Sequence, residues 1–93
     1  MADLEGRTVV ISGVGPGLGR ETALVAAREG GNIVLGARTE ETLEAIANEV
    51  EGAGAKAAYL RTDITNEAEC QALIDLASST YGRLDGLINI AAF

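Results

Sequence analysis

Short apolar runs alternate along this chain with longer stretches whose apolar residues recur every three or four positions. Arg7–Ser12 (RTVVIS) is the first run; it is β-branched, too short for a helix, and predicts a strand. Gly13–Gly19 is a glycine-rich loop, and the Ala-rich Leu18–Glu29 predicts a helix that Gly30-Gly31 ends. Asn32–Gly36 (NIVLG) predicts a second strand. Thr39 then stands where an N-cap belongs, with Glu40 and Glu41 in the first turn, where negative charge favours the helix dipole. Leu43, Ile46, Ala47 and Val50 fall at i, i+3, i+4 and i+7, one apolar face of a second helix that Gly52 and Gly54 close. Lys56–Arg61 (KAAYLR) predicts a third strand. A third helix is expected from Thr65 or Asn66, because Asn66 and Glu69 have capping-box spacing. Its stripe is Cys70, Leu73, Ile74 and Ala77, and Gly82 follows it. Gly86–Ile90 (GLINI) predicts the fourth strand.

The order βαβαβαβ, with short apolar strands and helical crossovers, predicts an α/β fold: a parallel sheet with helices on both faces. No linker, low-complexity tract or further repeat divides the 93 residues, so residues 1–93 read as one small unit. A chain this short buries a limited fraction of its surface, and marginal stability is expected of it alone.

Composition and charge narrow the partners. The chain is 47% hydrophobic and 23% charged, as soluble globular proteins are, and its net charge is −7. Nucleic acid and anionic membrane demand a basic surface, so neither is expected. Any phosphate must be held by backbone N–H groups and a few placed cations. Cys70 is the single cysteine, which excludes an internal disulfide and fits a cytoplasmic setting. No apolar run approaches the ~20 residues of a membrane span. Met1–Arg7 has two acids and no apolar core, unlike a secretory signal.

The strongest chemical feature is Ser12-Gly13-Val14-Gly15-Pro16-Gly17-Leu18-Gly19, which leaves a strand and opens a helix. The first N–H groups of a helix are unpaired and its positive dipole end points outward; a pyrophosphate fits there if the backbone can approach it. The spacing G-x-G-x-x-G fails in both registers, since position 18 is Leu and position 20 is Arg. G-x-x-x-G-x-G fits, through Gly13, Gly17 and Gly19. A Walker loop fails for want of Gly-Lys-Ser/Thr. The plainer reading is a tight turn, but four glycines in seven residues exceed what a turn needs. Pro16 stiffens the loop and offers no donor.

The end of the second strand is where dinucleotide binders read the ribose. An acid there bonds the 2′-OH of NAD, and a cation accommodates the 2′-phosphate of NADP. Here the chain reads Gly36-Ala37-Arg38-Thr39. Arg38 is placed to pair with a phosphate, which slightly favours NADP(H) over NAD(H). The alternative is a solvated arginine beside Glu40 and Glu41.

Together these residues resemble the short-chain dehydrogenases/reductases. Ser12-Gly13-x-x-x-Gly17-Leu18-Gly19 is similar to that family's Thr-Gly-x-x-x-Gly-Ile-Gly. Asp63-Ile64 resembles its Asp-Val pair, and Gly82-Arg83-Leu84-Asp85-Gly86-Leu87-Ile88-Asn89-Ile90-Ala91-Ala92 its Gly-x-(x)-Asp-x-Leu-Val-Asn-Asn-Ala-Gly segment. Ile90 stands where the family has its second Asn, and Ala92 where it has Gly; Pro16 occupies a position that NADP-preferring members often make basic.

The resemblance implies a Rossmann-type doubly wound sheet, in part, with strand order 3-2-1-4. It implies a cofactor site of Gly13, Gly15, Gly17, Leu18, Gly19, Arg38, Asp63, Ile64, Asn89 and Ala91, with Asp63 on the adenine. Without it, Asp63 reads equally as a turn acid before Thr65 and Asn66, and Asn89 as a buried, satisfied amide.

The function implied is NAD(P)-dependent hydride transfer with an alcohol or carbonyl substrate. That family's catalytic serine and Tyr-x-x-x-Lys lie beyond the fourth strand, and no catalytic residue is expected in these 93. Asp63 follows Tyr59 at the lysine position and Asp85 follows Tyr81. Both tyrosines read as packing residues and Cys70 as a small buried hydrophobe. With no histidine and no Cys/His cluster, neither a histidine relay nor a metal site is expected. The chain is therefore expected to be the cofactor-binding half of an oxidoreductase, inactive alone. The alternative is a non-catalytic dinucleotide-binding or interaction module complete at this length. A fourth strand left at the sheet edge predicts homo-oligomers or self-association.

Overall fold

The computed structural model describes residues 4–13 and 17–90. Seven elements follow in the expected order: β1 (Thr8–Ser12), α1 (Leu18–Arg28), β2 (Asn32–Ala37), α2 (Glu40–Gly52), β3 (Lys56–Arg61), α3 (Glu67–Tyr81) and β4 (Gly86–Asn89). Bounds differ from the sequence-based expectation by a residue or two, at the frayed ends where such differences arise. The four strands form one parallel sheet of order β3-β2-β1-β4. Gly15 and Ala91, two of the expected cofactor residues, lie outside the described residues.

The alternation of side chains along each strand sorts the core into two layers. Val9 and Ile11 of β1 and Ile33 and Leu35 of β2 face α1 and α2, and pack on Ala23, Leu43, Ile46 and Val50. Val10 and Val34 point the other way, onto Leu73 and Ala77 of α3. Each such aliphatic side chain removed from water contributes about 1.5–3 kcal/mol before the entropy of ordering it. Helix α3 can lie close to the sheet because Gly36 has no side chain: a Cβ there would collide with Leu73 and sit 3.2 Å from the Thr62 hydroxyl oxygen.

Helix ends follow the sequence signals, with two corrections, and a third concerns burial within α3. Helices α1 and α2 close in the same way. At α1, Gly30 and Gly31 donate N–H bonds back to Ala27 and Ala26; at α2, Gly54 and Ala55 donate to Glu51 and Val50. Gly52 is the last residue of α2 rather than part of its stop. Thr39 occupies the N-cap position of α2, but its side chain makes no cap bond, so Glu40 and Glu41 carry the compensation there. Cys70 is half-buried, because its stripe turns partly away from the sheet; its Sγ donates to the Ile64 carbonyl at 3.5 Å.

Candidate functional site

In an open parallel sheet a ligand sits outside the carboxyl ends of the strands, where the chain reverses its direction of travel across the sheet. Here that point lies between β1 and β4. The register aligns the strand ends: Ser12 pairs with Gly36 on one side and with Asn89 on the other, and Gly36 pairs with Leu60. Beyond them the Ile90 N–H donates to the Ser12 carbonyl at 2.9 Å, and the Gly13 N–H to the Gly36 carbonyl at 2.8 Å. One end of the sheet thus gathers Gly13, the start of α1, Arg38, Asp63 and Asn89.

The glycines of the first loop do different things. Gly13 has φ +77°, so the turn out of β1 itself calls for glycine. Gly19 is buried at the start of α1. Gly17 stands at the N-cap of α1 without any side-chain bond, and among the described residues nothing lies within 4 Å of the place a Cβ would take. Among the described residues, then, packing gives no reason for a bare Cα at Gly17, which stands at the N-terminus of α1. Leu18, beside it, is 70% exposed.

The charges near this helix end are already engaged. Arg20 binds Glu49 of α2 through Nε, at 2.9 and 3.0 Å, and also reaches Glu21 at 3.0 Å. An anion at the head of α1 would meet backbone N–H groups rather than this guanidinium. Arg38, after β2, is 70% exposed and stands 3.8 Å from the Asp63 carboxylate.

Asp63 follows the buried Thr62, whose N–H donates to the Ala37 carbonyl at 2.7 Å. Its Oδ1 accepts from the N–H and the hydroxyl of Thr65, at 2.9 and 2.7 Å. These bonds, helped by Arg38 and Arg61, hold the carboxyl below the usual carboxylate range. The turn-acid role is thus present, and it leaves Asp63 beside Arg38 at the strand ends. Ile64 is half-buried. Asn89 is exposed opposite Ser12, which corrects the alternative of a buried amide. Tyr59 packs on the α1–α2 core and Tyr81 on the α3 side, where burial raises its phenol.

Three pairings had no signal in the sequence. Arg20 with Glu49 is one, since it joins residues 29 positions apart. In the second, the Glu69 carboxylate accepts the Asp63 N–H at 3.0 Å. In the third, Asp85 locks β4 to the start of β1: its carboxylate accepts the Thr8 N–H at 2.7 Å, and its own N–H donates to the Thr8 carbonyl at 2.9 Å. Arg83 pairs with the same carboxylate at 2.7 and 2.6 Å.

Known proteins share this arrangement. The short chain dehydrogenase family matches residues 7–93. A 2,5-dichloro-2,5-cyclohexadiene-1,4-diol dehydrogenase of Sphingobium indicum is 38% identical over 92 residues, which are 99% of this chain and 36% of that protein. The 7alpha-hydroxysteroid dehydrogenase of Escherichia coli is 35% identical over 95% of this chain and 34% of its own length. A crystal structure of hydroxysteroid dehydrogenase from Escherichia coli superposes with a TM-score of 0.92 at 34% identity, covering 97% of this chain and 38% of that one. NAD+-bound xylitol dehydrogenase does so with a TM-score of 0.92 at 30% identity, over 98% and 35%. The chain spans about a third of the length of the relatives it matches. With its strand order, its glycine turn and a family match over nearly all its residues, the chain belongs to the short-chain dehydrogenase family.

Proposed function

We propose that this chain is the N-terminal, dinucleotide-binding half of an NAD(P)-dependent oxidoreductase acting on an alcohol or carbonyl. The observation that carries the reading is Gly17: a bare Cα with open space around it among the described residues, at the N-cap of α1, beside the point where the sheet reverses. The pyrophosphate is held by backbone N–H groups at the start of α1, around Gly13, Gly15, Gly17, Leu18 and Gly19. Asp63 takes the adenine, and Ile64, Asn89 and Ala91 line the cofactor site. The bound nicotinamide supplies or accepts the hydride.

NADP(H) is slightly favoured, since Ala37-Arg38 brings a cation and no acid to the end of β2. Its likeness to NAD+-bound xylitol dehydrogenase and to an NADH-dependent reductase complexed with NAD, at 30% and 32% identity, supports nicotinamide binding in general. These 93 residues carry no Tyr-x-x-x-Lys, so the segment alone binds without catalysing. A cytoplasmic setting and self-association through the open edge of β4 belong to the same reading.

Titration with NADPH and NADH, followed by nicotinamide fluorescence or calorimetry, tests it. Binding of both is expected, with NADPH tighter. Arg38→Ala should weaken NADPH roughly tenfold and NADH less than about threefold. No binding of either would sink the dinucleotide reading; equal losses, or none, would sink the NADP preference.

A further inference from the structure

The turn after β3 is wired to α3 in a way that departs from an ordinary capping box. In the complete box the residue at N3 returns its carboxylate to the N–H of the cap residue. Asn66 does cap α3, accepting the Glu69 N–H on Oδ1 at 3.1 Å. The Asn66 N–H, however, already donates to the Asp63 carbonyl at 2.9 Å. The Glu69 carboxylate therefore passes over the cap and takes the Asp63 N–H, six residues back, at 3.0 Å. Asp63 is held at every polar point of its backbone, its N–H by Glu69 and its carbonyl by Asn66. Its Oδ1 is held as well, by the two Thr65 bonds.

We propose that Glu69 is a positioning residue for the nucleotide end of the site. It fixes the Asp63-Ile64 turn, and with it the distance from Asp63 to Arg38, before any ligand arrives. The inference rests on the dinucleotide reading above, in which this turn takes the adenine. Pre-ordering matters because a turn that must be ordered on binding subtracts its ordering cost from affinity. Glu69 itself touches no ligand. Its acceptor oxygen is what counts, so glutamine can replace it, while aspartate is one methylene too short.

The test is binding of ADP-ribose, which carries adenine, both riboses and the pyrophosphate but no nicotinamide. It is measured well below the melting temperature on the 93-residue chain and on the variants Glu69→Ala, Glu69→Asp and Glu69→Gln. Glu69→Ala and Glu69→Asp should bind roughly tenfold more weakly, and Glu69→Gln should bind as the parent does. Asn66→Ala, which removes the cap but leaves the Glu69–Asp63 bond, should lower the melting temperature and keep the affinity. Should Glu69→Ala fail to fold, the contrast between Glu69→Asp and Glu69→Gln decides. Unchanged affinity in the folded Glu69 variants, or equal losses in Glu69→Gln and Glu69→Asp, would overturn the positioning role alone. A parent chain that binds no ADP-ribose would overturn the dinucleotide reading, and this inference with it.

Discussion

Thr8 joins two opposite situations in one residue. Its N–H and carbonyl are both bonded to Asp85, while its fully buried hydroxyl has no hydrogen-bond partner among the described residues. A buried hydroxyl without a partner has lost its water and gained nothing in return. Thr8→Val keeps the shape and the backbone bonds and removes that cost. It should raise the stability to urea by about 1 kcal/mol; a loss of similar size would show that the hydroxyl is satisfied after all. Nothing in the string RTVVIS marks Thr8 as different from its β-branched neighbours. The same limit applies to Arg38: its type and place after the second strand are legible, but its exposure and its approach to Asp63 depend on where the third strand ends. Gly17 is the reverse case, a residue that the sequence alone marks out, because a missing side chain is itself a signal.

Among the elements, the helices were legible almost to the residue, since capping and apolar spacing are local. Leu43, Ile46, Ala47 and Val50 are all buried, as their spacing required. The stripe of α3 was read less well: Leu73 and Ala77 are buried, Cys70 and Ile74 only in part. That helix alone covers its face of the sheet among the described residues, so the flanks of its stripe lack neighbours.

The Asp85 lock acts at this scale, tying β4 to β1, and it predicts a pH dependence. Arg83 first, and then the Thr8 N–H, hold the Asp85 carboxyl below the usual carboxylate range; Thr65 does the same for Asp63 and Arg20 for Glu49. A carboxyl depressed in the folded state binds its proton more readily when unfolded. Its contribution is therefore whole above the unfolded value, near pH ~4, and is lost as pH falls through the folded values. The urea midpoint should stay level from neutrality down to about pH 5 and fall steeply below about pH 4. Asp85→Asn should start lower and fall less. An acid limb as steep in the variant as in the parent would remove Asp85 from the account.

For the molecule as a whole, the telling feature is the uncovered fourth strand. Leu87, in register with Val10, is 55% exposed on the α3 side of the sheet, and Ile88, in register with Ile11, is 39% exposed on the other. Among the described residues β4 pairs only with β1, which leaves it the outermost strand of the sheet beside these apolar side chains. The 93-residue chain should therefore self-associate, with an apparent mass in sedimentation that rises with concentration. Leu87→Lys should shift it toward the monomer. A parent chain that stays monomeric at every concentration would refute this use of the edge.

By itself the sequence determined the kind and order of the elements, a parallel sheet, and the glycine turn that leaves β1, while the 3-2-1-4 strand order was implied by the family resemblance and is what the structure shows. The elements, the sheet and the turn follow from short-range causes: periodicity, caps, backbone freedom, and the few ways a right-handed crossover can run. Only the tertiary structure decided which charges meet. Arg20 with Glu49, Glu69 with Asp63, and Asp85 with Thr8 are separated by 29, 6 and 77 positions. A surface carboxylate reads the same in sequence whatever it faces, and its partner is chosen by how the helices settle on the sheet.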